Sequence, residues 1–465
     1  MYRKFLVLGM TACLCGCLHP GAYNRPAPPV PDAWPAGAAS QAGAPAVPAA
    51  PAVKWREFFT DAKLRQVIEQ ALANNRDLRM AALNIEKVQA LYRIQSARQY
   101  PTVSASGAGD LYRLPANLSG NNRPETVAVY TLSLGAASWE LDLFGRVRSL
   151  KSAALEQYLA TEQARGAAQI ALVGAVANTY LSMAADRDNL RLSQETLKAQ
   201  QDSYELISHT RDAGMASDLD LRQAQSQVEA ARVDIARYTG QFALDENALN
   251  LLVGAPVAAN LLPGELSSDQ ALKDIAAGLP SEALLNRPDI LMAEHQLKAA
   301  YANIDAARAA FFPRIALTAG GGITSSDLTN LFKYAARTWE FAPQVALPIF
   351  DYGSRKANLK VAQVDRDIAV AEYEKAIQSA FREVSDSLSQ RTRLMEQQNA
   401  QQDLVKSLEE TYRLSEARYK AGIDSYLSVL IAQRSLYGAQ QGLVSLRMAR
   451  LGNLVTLYKV LGGGA

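Results

Sequence analysis

One phrase of this 465-residue sequence occurs twice, and this duplication limits the possible folds more than any other feature. Residues 212–228 read DAGMASDLDLRQAQSQV, and 208 positions later residues 420–436 read KAGIDSYLSVLIAQRSL. The same offset relates the two copies without a gap from Leu143 to Gly254. Solenoid repeats are about 20–50 residues long, so a unit of this length predicts a duplicated half-domain rather than a repeat array.

The duplication and the local composition together predict five segments along the chain. These are a signal peptide at 1–16, a lipidated cysteine with a Pro/Ala-rich tether at 17–53, a first structural repeat at 54–254, a linker at 255–280 and a second structural repeat at 281–465. Composition rich in proline and alanine favours an extended, semi-rigid chain. We therefore expect the tether to let the body of the protein stand away from its anchor.

The N-terminus has the layout of a signal peptide. Arg3 and Lys4 precede an apolar run that is too short to span a bilayer as a helix. The run ends in Leu14-Cys15-Gly16-Cys17, which resembles a bacterial lipobox, so Cys17 is the predicted lipidation site, with acyl chains such as palmitate. An ordinary signal peptide with incidental cysteines is the alternative. Leu18 follows in place of aspartate, which by resemblance to lipoprotein sorting rules favours the outer membrane.

Two stretches change from a helical period to a period of two and predict β-hairpins at 101–144 and 313–351. In the first, Val103 and Ala105 alternate with Ser104, so the strand has one apolar face and one small polar face. This pattern suits a membrane barrel with lipid outside and water inside, and a hairpin packed on a soluble core is the alternative. Candidates for the aromatic belts of such a barrel are Tyr112, Tyr130, Tyr334 and Trp339.

The alternation in the fourth strand predicts that Leu347 lies near the middle of the strand and faces lipid, whereas Ala346 faces water. Four strands cannot close a membrane barrel, because the smallest barrels have eight. Open strand edges are not tolerated in lipid. We therefore expect several chains to share one barrel.

Helical periodicity accounts for most of the remaining sequence. Helices are predicted before the hairpins at 61–99 and 281–311, as long Pro-free stretches at 146–211 and 354–419, and as return helices at 218–253 and 425–461. About 65 residues correspond to a helix of about 100 Å, for which coiled-coil packing is the expected context. Gly214 and Gly422 lie at the bends between long and return helices, where a left-handed residue ends a helix.

Composition and motifs argue against several classes of function. The net charge of +2 provides no basic excess that would attract nucleic acid. None of the three histidines has a second ligand-type residue at metal-site spacing, and the sequence has no GxSxG motif. We therefore expect no enzyme activity, no metal, no cofactor other than the lipid on Cys17, and no nucleic-acid partner.

Several motifs, in order, are similar to those of TolC/OprM-type outer-membrane efflux ducts: ELDLFGR at 140–146, LNRPDI at 285–290, LPIFDYG at 347–353 and YKAGIDSYLSVLIAQRSL at 419–436. The resemblance covers essentially all of 54–464. It implies a mixed α and β membrane protein that forms a homotrimer. In that homotrimer, four strands per chain form a 12-stranded β-barrel in outer-membrane lipid, continuous with a long periplasmic α-helical coiled-coil tunnel.

The resemblance also implies a function. Such ducts are passive exits of tripartite efflux pumps that export drugs, toxic compounds or metals and contribute to multidrug resistance. They dock to a periplasmic adaptor (membrane fusion protein) and to an inner-membrane transporter of the RND type. Two alternatives remain at this stage: the outer-membrane component of a type I protein secretion system, and a structural coiled-coil lipoprotein without a channel.

By the same resemblance, the second return helix carries a constriction that closes the periplasmic end of the duct. The residues at the matching positions are Leu427, Ile431, Tyr419 and Asp424. Relatives often have aspartate where this chain has Ile431, so Leu427 and Ile431 predict an apolar constriction that blocks water by dewetting. The alternative is that both are coiled-coil knobs facing a neighbouring helix. Asp218 and Asp220, with Asp424, predict a rim that favours cations.

Overall fold

Two compact units make up the described part of the chain. The computed structural model describes residues 23–31, 34, 54–120, 122–266, 272 and 281–463. Unit 1 takes its described residues from Met1–Ala27, Asn84–Glu162 and Met292–Tyr373. Unit 2 takes its described residues from Pro28–Leu83, Gln163–Leu291 and Glu374–Ala465. Each unit combines segments of both sequence repeats, so neither repeat folds as a unit by itself.

Unit 1 contains one antiparallel sheet of four strands. The strands are β1 Val103–Leu114, β2 Glu125–Glu140, β3 Arg314–Ser325 and β4 Arg337–Ala346. Their order is β1-β2-β3-β4, so β2 and β3 join the two predicted hairpins into a single sheet. The loops within the hairpins leave at one end of the sheet, and the helices join it at the other end.

One face of the sheet is formed by small and hydroxyl-bearing side chains. Ser106 and Ser133 lie opposite each other with their Oγ atoms 2.8 Å apart. On the neighbouring strand, Gly322 pairs with Ser133, and a Cβ added to Gly322 would lie 2.3 Å from the carbonyl oxygen of Leu132. So close a backbone approach requires glycine. The face is therefore smooth and polar, as the period of two predicts.

The opposite face is apolar and exposed. Tyr130 and Leu132 on β2 share it with Leu317 on β3 and with Trp339 and Phe341 on β4. Trp339 is 80% exposed within the chain. An exposed apolar patch of this extent marks a surface that contacts lipid or protein.

Two expectations about the sheet are wrong. Tyr112 pairs with Val127 and lies three positions from Gly109, the partner of Tyr130, so Tyr112 is on the polar face and outside the aromatic belt. The strand β4 ends at Ala346, so Leu347 follows the strand instead of lying near its middle. Leu347 precedes a proline, which cannot donate a ladder hydrogen bond and therefore does not continue a strand.

The helices recur in the two halves of the chain. They are α1 Trp55–Phe58, α2 Ala62–Asn74, α3 Arg76–Ala97, α4 Arg146–Asp212, α5 Asp218–Val253, α6 Pro288–Ala309, α7 Ser354–Lys420 and α8 Tyr426–Val460. Short 3-10 helices occupy Ala259–Leu261, Ser281–Asn286 and Tyr334–Ala336. Both α4 and α7 have 67 residues and begin 208 positions apart, which confirms the predicted long helices and the duplication.

The helix predicted at 61–99 is interrupted at Asn75. Its ψ angle is 131°, and its side chain accepts a hydrogen bond from the backbone N–H of Leu78 at 2.9 Å. Its side-chain nitrogen also donates to the carbonyl oxygen of Leu252 at 2.8 Å. The first N–H groups of a helix have no partner within the helix, and an asparagine at the N-cap accepts a hydrogen bond from one of them. Asn75 does this for the helix that begins after it. Similarly, the helix predicted at 281–311 consists of a 3-10 helix followed by α6.

The α4 helix contains an 18-residue stretch that is apolar enough to cross a membrane by length and composition. The mean hydropathy of this stretch is 1.3, and 56% of it is buried inside the protein. Buried core residues of unit 2 on this helix include Val176 and Met183, both fully inaccessible. The stretch is therefore typical of a packed core helix.

Residues of the predicted tether pack against the helices. Tyr23 OH donates to Glu294 Oε1 at 3.1 Å, and Arg25 forms an ion pair with the same carboxylate, whose side chain is 4% exposed. In unit 2, Trp34 stacks on Phe381 with ring centroids 4.8 Å apart. At these residues the segment does not stand away from the body, because a buried carboxylate and an aromatic ring hold it.

The carboxyl pair of Asp186 on α4 and Asp245 on α5 generates a prediction about stability. Burial, followed by the hydrogen bond and the negative charge of Asp245, raises the pKa of Asp186 to about 7. The ordinary pKa of an aspartate is about 3.9. The contribution of protonated Asp186 to the free energy of unfolding is therefore complete below that pH and is lost as pH rises through about 7.

We therefore expect Asp186→Asn and the wild type to have similar stability near pH 4. The variant should become progressively more stable than the wild type up to about pH 7, and the difference should then stay constant. Thermal unfolding across this pH range measures it, with the exposed Asp202→Asn on the same helix as the control. A difference between Asp186→Asn and wild type that does not depend on pH would contradict the prediction.

Candidate functional site

The two bends between long and return helices have the same backbone geometry. Gly214 and Gly422 have φ angles of 78° and 71°, in the left-handed region that glycine adopts without strain. At the first bend, the N–H of Met215 donates to the carbonyl oxygen of Thr210 at 2.9 Å. The second bend has the equivalent bond from Ile423 at 3.0 Å. These are Schellman-type helix ends, and they confirm the predicted conformation of both glycines.

A shared hydrophobic cluster holds the two bends together. Its buried members are Ile207, Leu221, Ala224, Tyr426, Val429 and Leu430, and its partly buried members are Tyr204, Ala216, Tyr412 and Tyr419. The rings of Tyr419 and Tyr426 are 5.5 Å apart. Tyr419 is thus a packing residue of the bend, and burial raises its pKa, with the negative charge of Asp220 as a second cause.

The two residues of the predicted constriction lie on the other side of α8. Leu427 is 48% exposed and Ile431 is 58% exposed, whereas Val429 and Leu430 between them are buried. A spacing of four residues places Leu427 and Ile431 on one face of the helix. Neither residue is a knob in the core of its own chain, so both are available to a pore or to a neighbouring subunit.

The carboxylates of the predicted rim are largely engaged by neighbouring groups. Asp424 accepts two hydrogen bonds from Arg418, at 2.5 and 3.0 Å, and these bonds lower the pKa of Asp424. Asp220 forms a capping box with Ser217: the backbone N–H of Asp220 donates to Ser217 Oγ at 3.1 Å. Asp218 lies 3.5 Å from a guanidinium nitrogen of Arg211. Two arginines therefore offset part of the negative charge that the sequence predicts there.

Sequence reasoning missed a polar network that links α8 to the first repeat. Tyr437 OH lies 2.7 Å from Ser193 Oγ and donates to Asp234 Oδ2 at 2.9 Å. One turn further along α8, Gln441 donates to Tyr238 OH at 3.1 Å. Burial raises the pKa of Tyr437 to about 12. The signal available in the sequence was a tyrosine among small residues, which does not identify its partners on two distant helices.

Other predicted site residues lie outside this arrangement. Cys17 and the signal peptide are outside the described residues, so their predicted processing has no structural counterpart here. Within the described ranges, no group of three or more His, Cys, Asp or Glu side chains is arranged to hold a metal ion.

The chain is similar to known proteins over nearly its whole length. The family model "Outer membrane efflux protein" matches residues 67–255 and 279–463. The chain belongs to the outer membrane efflux protein family. The antibiotic efflux pump outer membrane protein ArpC and the toluene efflux pump outer membrane protein TtgC, both of Pseudomonas putida, are each 49% identical to it. Each of these alignments covers 100% of this chain and 96% of the relative.

A solved structure supports the same membership. The open state of the Neisseria gonorrhoeae MtrE outer membrane channel has a TM-score of 0.87 and is 36% identical, with 96% of this chain and 98% of that chain covered. The protein is therefore an outer-membrane efflux channel protein of mixed α and β structure, as predicted. The roles of Leu427, Ile431, Tyr419 and Asp424 at a constriction, and of Asp218 and Asp220 at its rim, stay predictions.

Proposed function

We propose that three chains close one 12-stranded barrel that serves as the passive exit duct of a tripartite efflux pump. The observation that supports this is the sheet itself, which has two open edges, β1 and β4, and one exposed apolar face. Unpaired backbone groups are too costly in lipid for either edge to remain open there. Three copies of four strands give a closed barrel with the polar face inside.

The cargo we propose is small and chemically varied. ArpC is named for antibiotic efflux and TtgC for toluene efflux, and both relatives are similar to this chain from end to end. These names favour small-molecule export over protein secretion. The duct itself performs no chemistry, so transport energy has to come from partners. We propose a periplasmic adaptor and an inner-membrane RND-type transporter.

We further propose that Leu427 and Ile431 form the constriction near the periplasmic opening of this duct. Both are exposed and lie on one face of α8, opposite the cluster that holds the bends together. Six apolar side chains from three chains would narrow the pore and exclude water. Asp424 contributes less to cation attraction than an unpaired carboxylate would, because Arg418 binds it.

The constriction predicts a leaky channel when its side chains become polar. Leu427→Ser with Ile431→Ser should raise the resting conductance of purified protein in planar bilayers and sensitise cells to large antibiotics, while the oligomer stays intact. The matched control is Met215→Ser with Leu219→Ser, because these apolar residues are also exposed and four positions apart, at the first bend. Unchanged conductance from a stable variant oligomer would rule out the assignment.

The membrane face of the sheet predicts a strong asymmetry between the two faces of β4. Phe341→Arg should destabilise the barrel by about 2–4 kcal/mol per chain if the residue lies near the bilayer midplane. Gln344→Arg, on the polar face, should be tolerated. The temperature at which the folded oligomer dissociates on a denaturing gel measures both variants. Equal tolerance of the two substitutions would argue against lipid contact.

The lipobox predicts that Cys17 carries the lipid. Labelling growing cells with a radioactive or clickable fatty acid should mark the wild type and Cys15→Ala, but not Cys17→Ala. We expect Cys17→Ala to keep some membrane association, because the barrel is an anchor of its own. Label retained by Cys17→Ala would refute acylation at this residue.

A further inference from the structure

Charged residues of the sheet are segregated between its two faces. The apolar face of the four strands carries two charged residues, Arg113 and Arg337, and no carboxylate; they pair with Thr126 and Ile323, respectively. The strand carboxylates Asp110, Glu125, Glu140 and Glu340 all lie on the polar face, together with Arg314, which forms an ion pair with Glu140. The apolar face therefore carries charge of one sign only, and its two arginines call for an explanation specific to the membrane face.

Both arginines lie at the end of the sheet that carries the hairpin loops. Arg113 is the penultimate residue of β1, and Arg337 is the first residue of β4. Both are exposed, and neither forms an ion pair with another residue of the described chain. The guanidinium of Arg337 lies over the ring of Tyr334, with its central carbon 4.4 Å from the ring centroid. The two cations are therefore free to bind an external anion.

Barrel closure would bring these two residues together. They are on the two edge strands, and closure pairs β4 of one subunit with β1 of the next in antiparallel fashion, loop end beside loop end. Within each hairpin the loop ends align in this way: Leu114 pairs with Glu125, and Ile323 with Arg337. Between the hairpins the ladder ends at Tyr130 and Ser325, and β2 continues beyond it towards the loops. This step rests on the trimeric barrel of the proposed function.

We propose that Arg113 of one subunit and Arg337 of the next form a binding site for the phosphate groups of lipids in the outer leaflet. Arginine has a planar fork of donors that binds phosphate oxygens in pairs. The helices join the opposite end of the sheet, so the arginines lie at the depth of the outer headgroups. Exposed aromatic residues beside them, Phe332, Tyr334 and Trp339, suit the boundary between headgroups and acyl chains.

The test uses the full-length oligomer in neutral phosphatidylcholine vesicles that contain increasing fractions of diphosphorylated lipid A. We expect lipid A to raise the temperature at which the oligomer dissociates. In Arg113→Gln with Arg337→Gln, the lipid A fraction needed for half of this rise should increase about tenfold or more, because hydrogen bonds between charged partners are strong. The control, Arg79→Gln with Arg434→Gln, removes two exposed arginines of the helices and should respond as wild type does.

Further arms separate the possible outcomes. Inorganic phosphate added to vesicles without lipid A should not raise the dissociation temperature; an equal rise would identify a free-phosphate site and overturn the lipid assignment. An unchanged response of the double variant to lipid A would overturn the site itself. Single-channel conductance of the double variant should equal that of the wild type. If the wild type forms neither oligomer nor channel, the proposed function fails, and the site fails with it.

Discussion

The structure depends on one constraint, which is that a sheet of four strands leaves a row of unpaired backbone groups along β1 and another along β4. In water such edges are a liability, and in lipid each unpaired group costs several kcal/mol. The described part of the chain cannot pair these edges, because the duplication supplies two hairpins and the described residues contain no further strand. Assembly of several chains is therefore a condition for the sheet to enter a membrane.

The duplication extends this constraint to the helices. α4 and α7 have equal lengths and end in equivalent glycines, so the two repeats reach the same level before they turn back. The cluster that contains Ile207 and Leu430 then joins the bends of both repeats. The two equivalent bends of each chain therefore pack against each other. The face of α8 that does not contribute to this cluster, with Leu427 and Ile431, stays exposed and is available for contacts beyond the chain.

The sequence predicted what depends on periodicity and failed where a single residue decides. A period of two identified all four strands, and the long Pro-free stretches identified the long helices, because both patterns extend over many residues. The break at Asn75 escaped detection, since one of the two hydrogen bonds that hold this side chain at the break goes to Leu252, 177 positions away in the chain. The wrong face for Tyr112 has a similar origin, because composition identifies an aromatic residue but only the strand register assigns its face. The ion pair between Asp424 and Arg418 could be identified only from the folded structure of the bend.

Charge placement follows from what each surface of the chain has to face. In the sheet, a carboxylate on the lipid side would be desolvated without a cation nearby, whereas an arginine at the headgroup level keeps its charge hydrated or bound to phosphate. At the bends, the same reasoning acts in water: Asp424 and Arg418 lie in solvent and offset each other locally. In the proposed constriction, the apolar pair Leu427 and Ile431 beside this neutralised charge would restrict passage through size and wetting. On that proposal, cations and anions would meet the same apolar barrier at the bends, and the barrier would not need to discriminate strongly between them.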